Sequence, residues 1–201
     1  MIHEYQTIEA PVQSNFRDRG SKFLAYGYPI GSIEDAKSRL IDLKKEHPKA
    51  SHLCFAWRLE PDGSHFRVND DGEPAGSAGR PILGQIQSKG LTNVMVVVVR
   101  YFGGTLLGIP GLIHAYKTAT AIALEQAIVV HKKVESRMMV ECDYTMMNEI
   151  MQLLKTFQCH IHHQELLLFC KFDIGIPLEK KEILLLKLGD IKGVTVSIKG
   201  S

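Results

Sequence analysis

The chain has 201 residues, 45% hydrophobic and 23% charged, which suits one large or two small globular domains and excludes wholesale disorder. With 24 basic against 22 acidic residues the formal charge is +2, so no general electrostatic grip on nucleic acid is written into the composition, although a local patch remains open. The four cysteines form no CxxC pair, the start MIHEYQTIEAP lacks a basic-then-apolar signal segment, and the run VMVVVV at 94–99 is far too short to span a bilayer. The expectation is a reduced, cytoplasmic protein without a membrane partner.

KFLAYGYPI at 22–30 reads as a strand ended by a Pro and a Gly. Ser32 then opens a helix through Ile33, Ala36, Leu40, Ile41 and Leu43, with Asp35 as the second half of a capping box and Pro48 as its stop. SHLCFAWRL at 51–59 alternates: Leu53, Phe55, Trp57 and Leu59 on one face, His52, Cys54, Ala56 and Arg58 on the other. That pattern predicts a half-buried strand, turned at PDG (61–63) into a hairpin with HFRVND. After the acidic stretch DDGEPAGSAGRP (70–81), Ser77 is placed to cap a short helix through Ile82, Leu83 and Ile86 that stops at Gly90. TNVMVVVVRYF at 92–102 is apolar on both faces and predicts a central strand. FGGTLLGIPG leads into an alanine-rich core helix with Pro110 at its first position.

HKKVES at 131–136 is polar and charged and reads as a linker between a domain at 1–130 and another at 137–201. The second domain runs strand, helix, two strands, helix, strand, the β-α-β-β-α-β order of ferredoxin-like folds. The fold class is therefore α+β in two domains.

Nine of the 17 glycines fall within residues 72–111, a span that holds two glycine-rich loops, each leading into a helix. Helix N-termini offer unpaired N–H groups and partial positive charge, and glycine lets backbone approach a ligand closely. Gly76, Ser77 and Gly79 of the first loop and Gly103 and Gly104 of the second are the candidate donors of an anion pocket, with Lys22, His52, Arg58 and Arg100 as its basic groups. Asp70, Asp71 and Glu73 would order the loop and orient the arginines. The competing reading is a pair of tight turns with no ligand. The same three acids offer oxygen ligands for a hard cation, or simply form turns. Cys54 with His52 as base is a candidate nucleophile pair, set against simple packing of a lone strand cysteine. CHIHH at 159–163 suggests zinc, but one strand offers ligands on both faces and no partner pair stands at zinc-finger spacing, so the reading is a solvated hairpin end. No dinucleotide or P-loop motif is present, and no cofactor or metal is predicted.

SKF (21–23), HLCFAWR (52–58), DDGEPAGSAGRP (70–81), VVVRYFGGTLLG (97–108) and GL (111–112) together resemble the IMPACT/YigZ family over nearly the whole chain. One departure is IPG at 109–111, where the family pattern has a residue followed by two glycines; Pro110 removes an N–H there. The resemblance implies a first domain of the type shared with ribosomal proteins and domain four of elongation factor G, and a second domain that is ferredoxin-like. It also implies a link to translational control, with RNA, the ribosome or a translation-regulating protein as partner. The leading expectation is a non-catalytic protein holding RNA phosphate or another anion at the two loops. The alternatives are an enzyme on a small phosphorylated or peptide-like substrate, and a protein-interaction module that docks through the DDGEP face. Oligomeric state is not legible in the sequence.

Overall fold

The structure is a computed structural model that describes residues 2–198. It divides into two compact units, one formed by Tyr5–Lys132 and the other by the described residues on either side, 2–4 and 133–198.

In the first unit five antiparallel strands lie in the order β2 (Val12–Asp18), β3 (Ser21–Pro29), β6 (Val94–Tyr101), β4 (His52–Leu59), β5 (His65–Asn69). Helix α1 (Ile33–Glu46) covers one face, and α2 (Gly79–Ser88) and α3 (Gly108–Glu125) cover the other. β6 takes the centre because its valines satisfy both layers at once: Val94, Val96 and Val98 pack under α2 and α3, while Met95, Val97 and Val99 pack under α1. All six are fully buried, each worth roughly 1.5–3 kcal/mol of transfer free energy. The capping box of α1 is present, with Asp35 N–H donating to Ser32 Oγ and Ser32 N–H to Asp35 Oδ2, both at 3.1 Å.

Several expectations need correction. β4 is buried on both faces rather than half-buried, because Cys54 and Ala56 lie in the layer under α2 and α3. α3 starts two residues earlier than Pro110, which sits within its first turn. Within the stretch 131–136, where the two compact units divide at Lys132/Lys133, the backbone is mostly extended: β7 (Val129–Lys133) pairs with β1 (Glu4–Ile8), and β8 begins at Glu135. β7 itself is almost wholly exposed, so its charged residues carry no period to read.

The second unit follows the order β8 (Glu135–Asp143), α4 (Met147–Thr156), β9 (His160–Leu166), β10 (Phe169–Pro177), α5 (Lys181–Gly189), β11 (Val194–Ile198). Its antiparallel sheet is arranged β11-β8-β10-β9. Met138, Val140, Phe172, Ile174 and Ile176 face the helices and form the core with Ile150, Leu154, Leu184 and Leu188. Among the described residues no helix is long and apolar enough to cross a membrane.

Candidate functional site

The antiparallel register decides which basic residues meet. His52 of β4 and Phe23 of β3 each stand opposite Arg100 of β6, at one end of the sheet on the face covered by α2 and α3. Arg58 shares that face but lies opposite Val94, six residues along. At about 3.4 Å per residue that is about 20 Å from Arg100. Its guanidinium is taken up by the carbonyl oxygens of Gly63, Asp62 and Leu91. Lys22 has the opposite fault: it is at the right end, opposite Tyr101, but alternation turns it to the α1 face. Neither joins the predicted constellation.

The acidic loop runs from β5 to α2 across this end. Asp71 and Gly72 take positive φ, and the Glu73 N–H closes the turn on the Asp70 carbonyl at 2.9 Å. Asp71 Oδ2 accepts the Leu53 N–H at 2.6 Å, a ladder donor beyond the reach of β5, whose pairing starts at Phe55. The Asp71 carbonyl accepts His52 Nδ1–H at 2.8 Å, so Nδ1 carries the proton and Nε2 is left to face Glu73 Oε1 at 3.9 Å.

Asp70 has the largest local role. Its carboxylate accepts the N–H groups of Gly76 (2.9 Å), Ala78 (3.0 Å) and Gly79 (2.8 Å). Burial opposes its ionisation, but the three N–H donors prevail and hold the carboxyl below the usual carboxylate range. Asp70, not Ser77, therefore caps α2; Ser77 bonds the Pro74 carbonyl instead. The amides of the first glycine loop are thus occupied by a carboxylate of the chain itself.

Glu73 points inward. Its Oε1 accepts from Arg100 Nη1 at 2.6 Å and from the Tyr116 hydroxyl at 2.7 Å, with the two charged side chains 3% and 6% exposed. Arg100 is consequently a buried brace between the loops rather than a surface cation. Its Nη2 is 3.5 Å from Ser21 Oγ, which also accepts the Gly103 N–H at 3.2 Å, and its guanidinium lies over the rings of Phe23 and Phe102. Arg100 Nε is buried with no hydrogen-bond partner among the described residues. Tyr116, on α3, had not been picked out from the sequence. A large aromatic hydroxyl on the buried face of a core helix, which needs a polar partner, was the available signal.

The chain is similar to several known proteins. The family model for the Impact N-terminal domain matches residues 19–124. The IMPACT family member YigZ of Escherichia coli K12 is 33% identical over 183 residues, 90% of each chain. The chain belongs to the IMPACT family. A crystal structure described as that of a hypothetical protein is 30% identical and superposes over the whole of both chains with a TM-score of 0.77. The two-domain translational regulator Yih1 is 33% identical over 61% of this chain and 47% of its own, with a TM-score of 0.37.

In this IMPACT family member, burial pushes the Cys54 thiol far above its ordinary value, and the thiol lies within hydrogen-bond reach of the Asp70 carbonyl (3.0 Å) and the Tyr116 hydroxyl (3.3 Å). His52 Nδ1, tied to Asp71, is no base for it. Cys54 is therefore held as a neutral packing group, not a thiolate. The second glycine loop differs from the first. Gly103 packs so tightly on Gly20 and Ser21 that a Cβ there would collide with their backbone, which only glycine avoids. Gly104, at φ +86°, has nothing within 4 Å of where a Cβ would stand. Residues 102–106 are exposed, and Leu107 at the N-cap of α3 offers no side-chain hydrogen bond to the helix.

Proposed function

We propose that this IMPACT family member is a non-catalytic binding protein linked to translation or its regulation, and that it holds RNA phosphate or another anion at the second glycine loop. Family membership supports the translation link, through the control of translation that the family resemblance implies. The placement of the ligand rests on one observation above the others: the orphaned Nε–H of Arg100, buried beneath the loop. Around it stand the exposed Gly104 and Thr105, the uncapped N-terminus of an 18-residue helix, and Phe102, half exposed and able to stack on a base. The first loop contributes no anion site in this reading, since Asp70 fills it.

The enzyme reading is the less supported one: among the described residues His52 Nε2 is a base without a hydrogen-bond partner, but the candidate nucleophile and acids beside it are otherwise engaged. Asp70, Asp71 and Glu73 are each engaged in holding backbone or Arg100, and Cys54 is buried. A protein-docking reading draws on the exposed Leu106 and Ile109 beside the same loop, and differs in being insensitive to competing phosphate.

The test is a titration of the full chain against single-stranded and duplex RNA at several salt concentrations. Affinity should fall with salt on a log–log line whose slope counts the phosphates held. Gly104→Asp, which keeps a residue tolerant of positive φ but adds a carboxylate, should weaken binding at least tenfold without unfolding the chain. Absence of salt-dependent binding, or a Gly104→Asp variant that binds like the parent, overturns the proposal.

A further inference from the structure

The histidine cluster of β9 shows an arrangement the sequence could not. Cys159 and Ile161 turn inward and pack against the second core, and burial pushes the Cys159 thiol up to about 11. His160 and His162 turn outward, their ring centroids 4.5 Å apart. Pairing jumps from Ile174↔Ile161 to Asp173↔His163, so His162 is the extra residue of a β-bulge, a device that re-aims a side chain.

A third group reaches the same place from another strand. Glu135 opens β8, which is separated from β9 by β10, so the two strands lie about 10 Å apart. Their side chains meet because the intervening outward position is Gly175. A Cβ on Gly175 would stand 2.8 Å from His162 Nε2 and collide with the Glu135 carboxylate. Glu135 Oε2 lies 3.5 Å from His162 Nε2, and one ligand atom from each of the three residues falls within 4.8 Å of the others.

We propose that Glu135, His160 and His162 bind one divalent transition-metal ion of the zinc class. Two imidazoles and one carboxylate are its preferred donors, whereas calcium and magnesium require oxygen. Metal–ligand bonds of about 2.1 Å in tetrahedral geometry place ligand atoms about 3.4 Å apart, close to the Glu135–His162 separation. The donor set carries one negative charge against the ion's two positive ones. The nearby Arg137 guanidinium is engaged by Asp173, at 3.2 and 3.3 Å. The ion ties β8 to β9 across β10 and keeps a fourth coordination position open to solvent. The site is independent of the glycine loops.

Calorimetric titration of the chelator-treated full chain with zinc chloride tests it. One saturable equivalent is expected, and cobalt(II) in its place should give the visible absorption of a tetrahedral N/O site. Glu135→Gln and His162→Gln should each weaken binding at least tenfold, and Gly175→Ala should do so with all three ligands retained. His163→Ala, outside the triad, should bind as the parent does. No saturable binding, or binding that Glu135→Gln, His162→Gln and Gly175→Ala all leave unchanged, overturns the assignment.

Discussion

Replacing Arg100 with methionine tests the brace at the centre of the first unit. The change keeps an apolar stem and removes the cation, leaving the Glu73 carboxylate with Tyr116 as its one close partner and almost no access to water. Breaking a buried ion pair from one side costs roughly 3–5 kcal/mol, because the remaining charge is stranded. Lost cation–π contacts with Phe23 and Phe102 add about 0.5–1 kcal/mol each, partly offset by methionine sulfur against the same rings. A total near 4 kcal/mol, with a urea slope of about 2 kcal/mol/M, lowers the unfolding midpoint by about 2 M. The assay isolates the right unit: the single tryptophan, Trp57, is buried in the core under α1, so its fluorescence follows Tyr5–Lys132 and not the second unit. Adding Glu73→Gln to Arg100→Met should restore about half the loss. Glutamine can still accept from Tyr116, it carries no charge, and its amide can donate to His52 Nε2. A midpoint shift below about 0.3 M for the single variant, or no recovery in the double, would refute the account of Arg100 and Glu73 as a buried, mutually dependent pair.

Two further outcomes follow from the loops. Gly103→Ala should cost at least about 2 kcal/mol by the same fluorescence assay, since its Cβ meets fixed backbone at Gly20 and Ser21, whereas Gly104→Ala should cost only about 1 kcal/mol for its positive φ. Asp70→Asn should destabilise the unit by about 1–3 kcal/mol at pH 7. Because the folded-state pKa of Asp70 is lowered, its contribution is complete above the unfolded value near 3.9 and is lost as pH falls through the folded one. The gap between parent and variant should therefore narrow below about pH 4, and a gap that stays constant down to pH 2 would contradict the three-donor account of Asp70.

Much of the fold was legible because its elements repeat local rules. The Ser32 and Asp35 capping box, the two-sided valine run of β6 and the helical spacing of α1 and α2 are each contained within a few neighbouring residues. β1 and β2 escaped notice: β2 reads VQSNFRD, with Ser14 on its inward face bonded to the Ala119 carbonyl, so a polar residue stands where an apolar one would have marked the strand. The site was legible only in composition. Alternation works within one strand, so both the face that Arg58 and Arg100 share and the distance between them are fixed by the register of β4 against β6, which no local pattern states. Glu73, Arg100 and Tyr116 come from a loop, a strand and a helix, 27 and 43 residues apart, and no spacing rule joins them. The metal triad was hidden for the same reason, since Glu135 reaches the histidines only because a glycine lies between their strands.

The contrast between the two helices that follow the glycine loops carries the functional argument. Both expose N–H groups at their first turn, and both therefore attract negative charge. At α2 the chain supplies that charge itself: Asp70 accepts three amides, and the acids and glycines of DDGEPAGSAG are thereby a folding device that closes the end of the sheet. At α3 the N-cap residue Leu107 supplies no such group, although Glu73 lies close enough to pair with Arg100 beneath it. Glu73 balances the single charge of Arg100 but leaves its Nε–H without a partner among the described residues. If the proposed anion binds there, a neutralised cation with one donor left over fits a weakly held, exchangeable ligand better than a permanently bound one. That is the behaviour required of a protein that grips an RNA backbone transiently, and it is the reason the proposed contact falls on the second loop and not on the more acidic first.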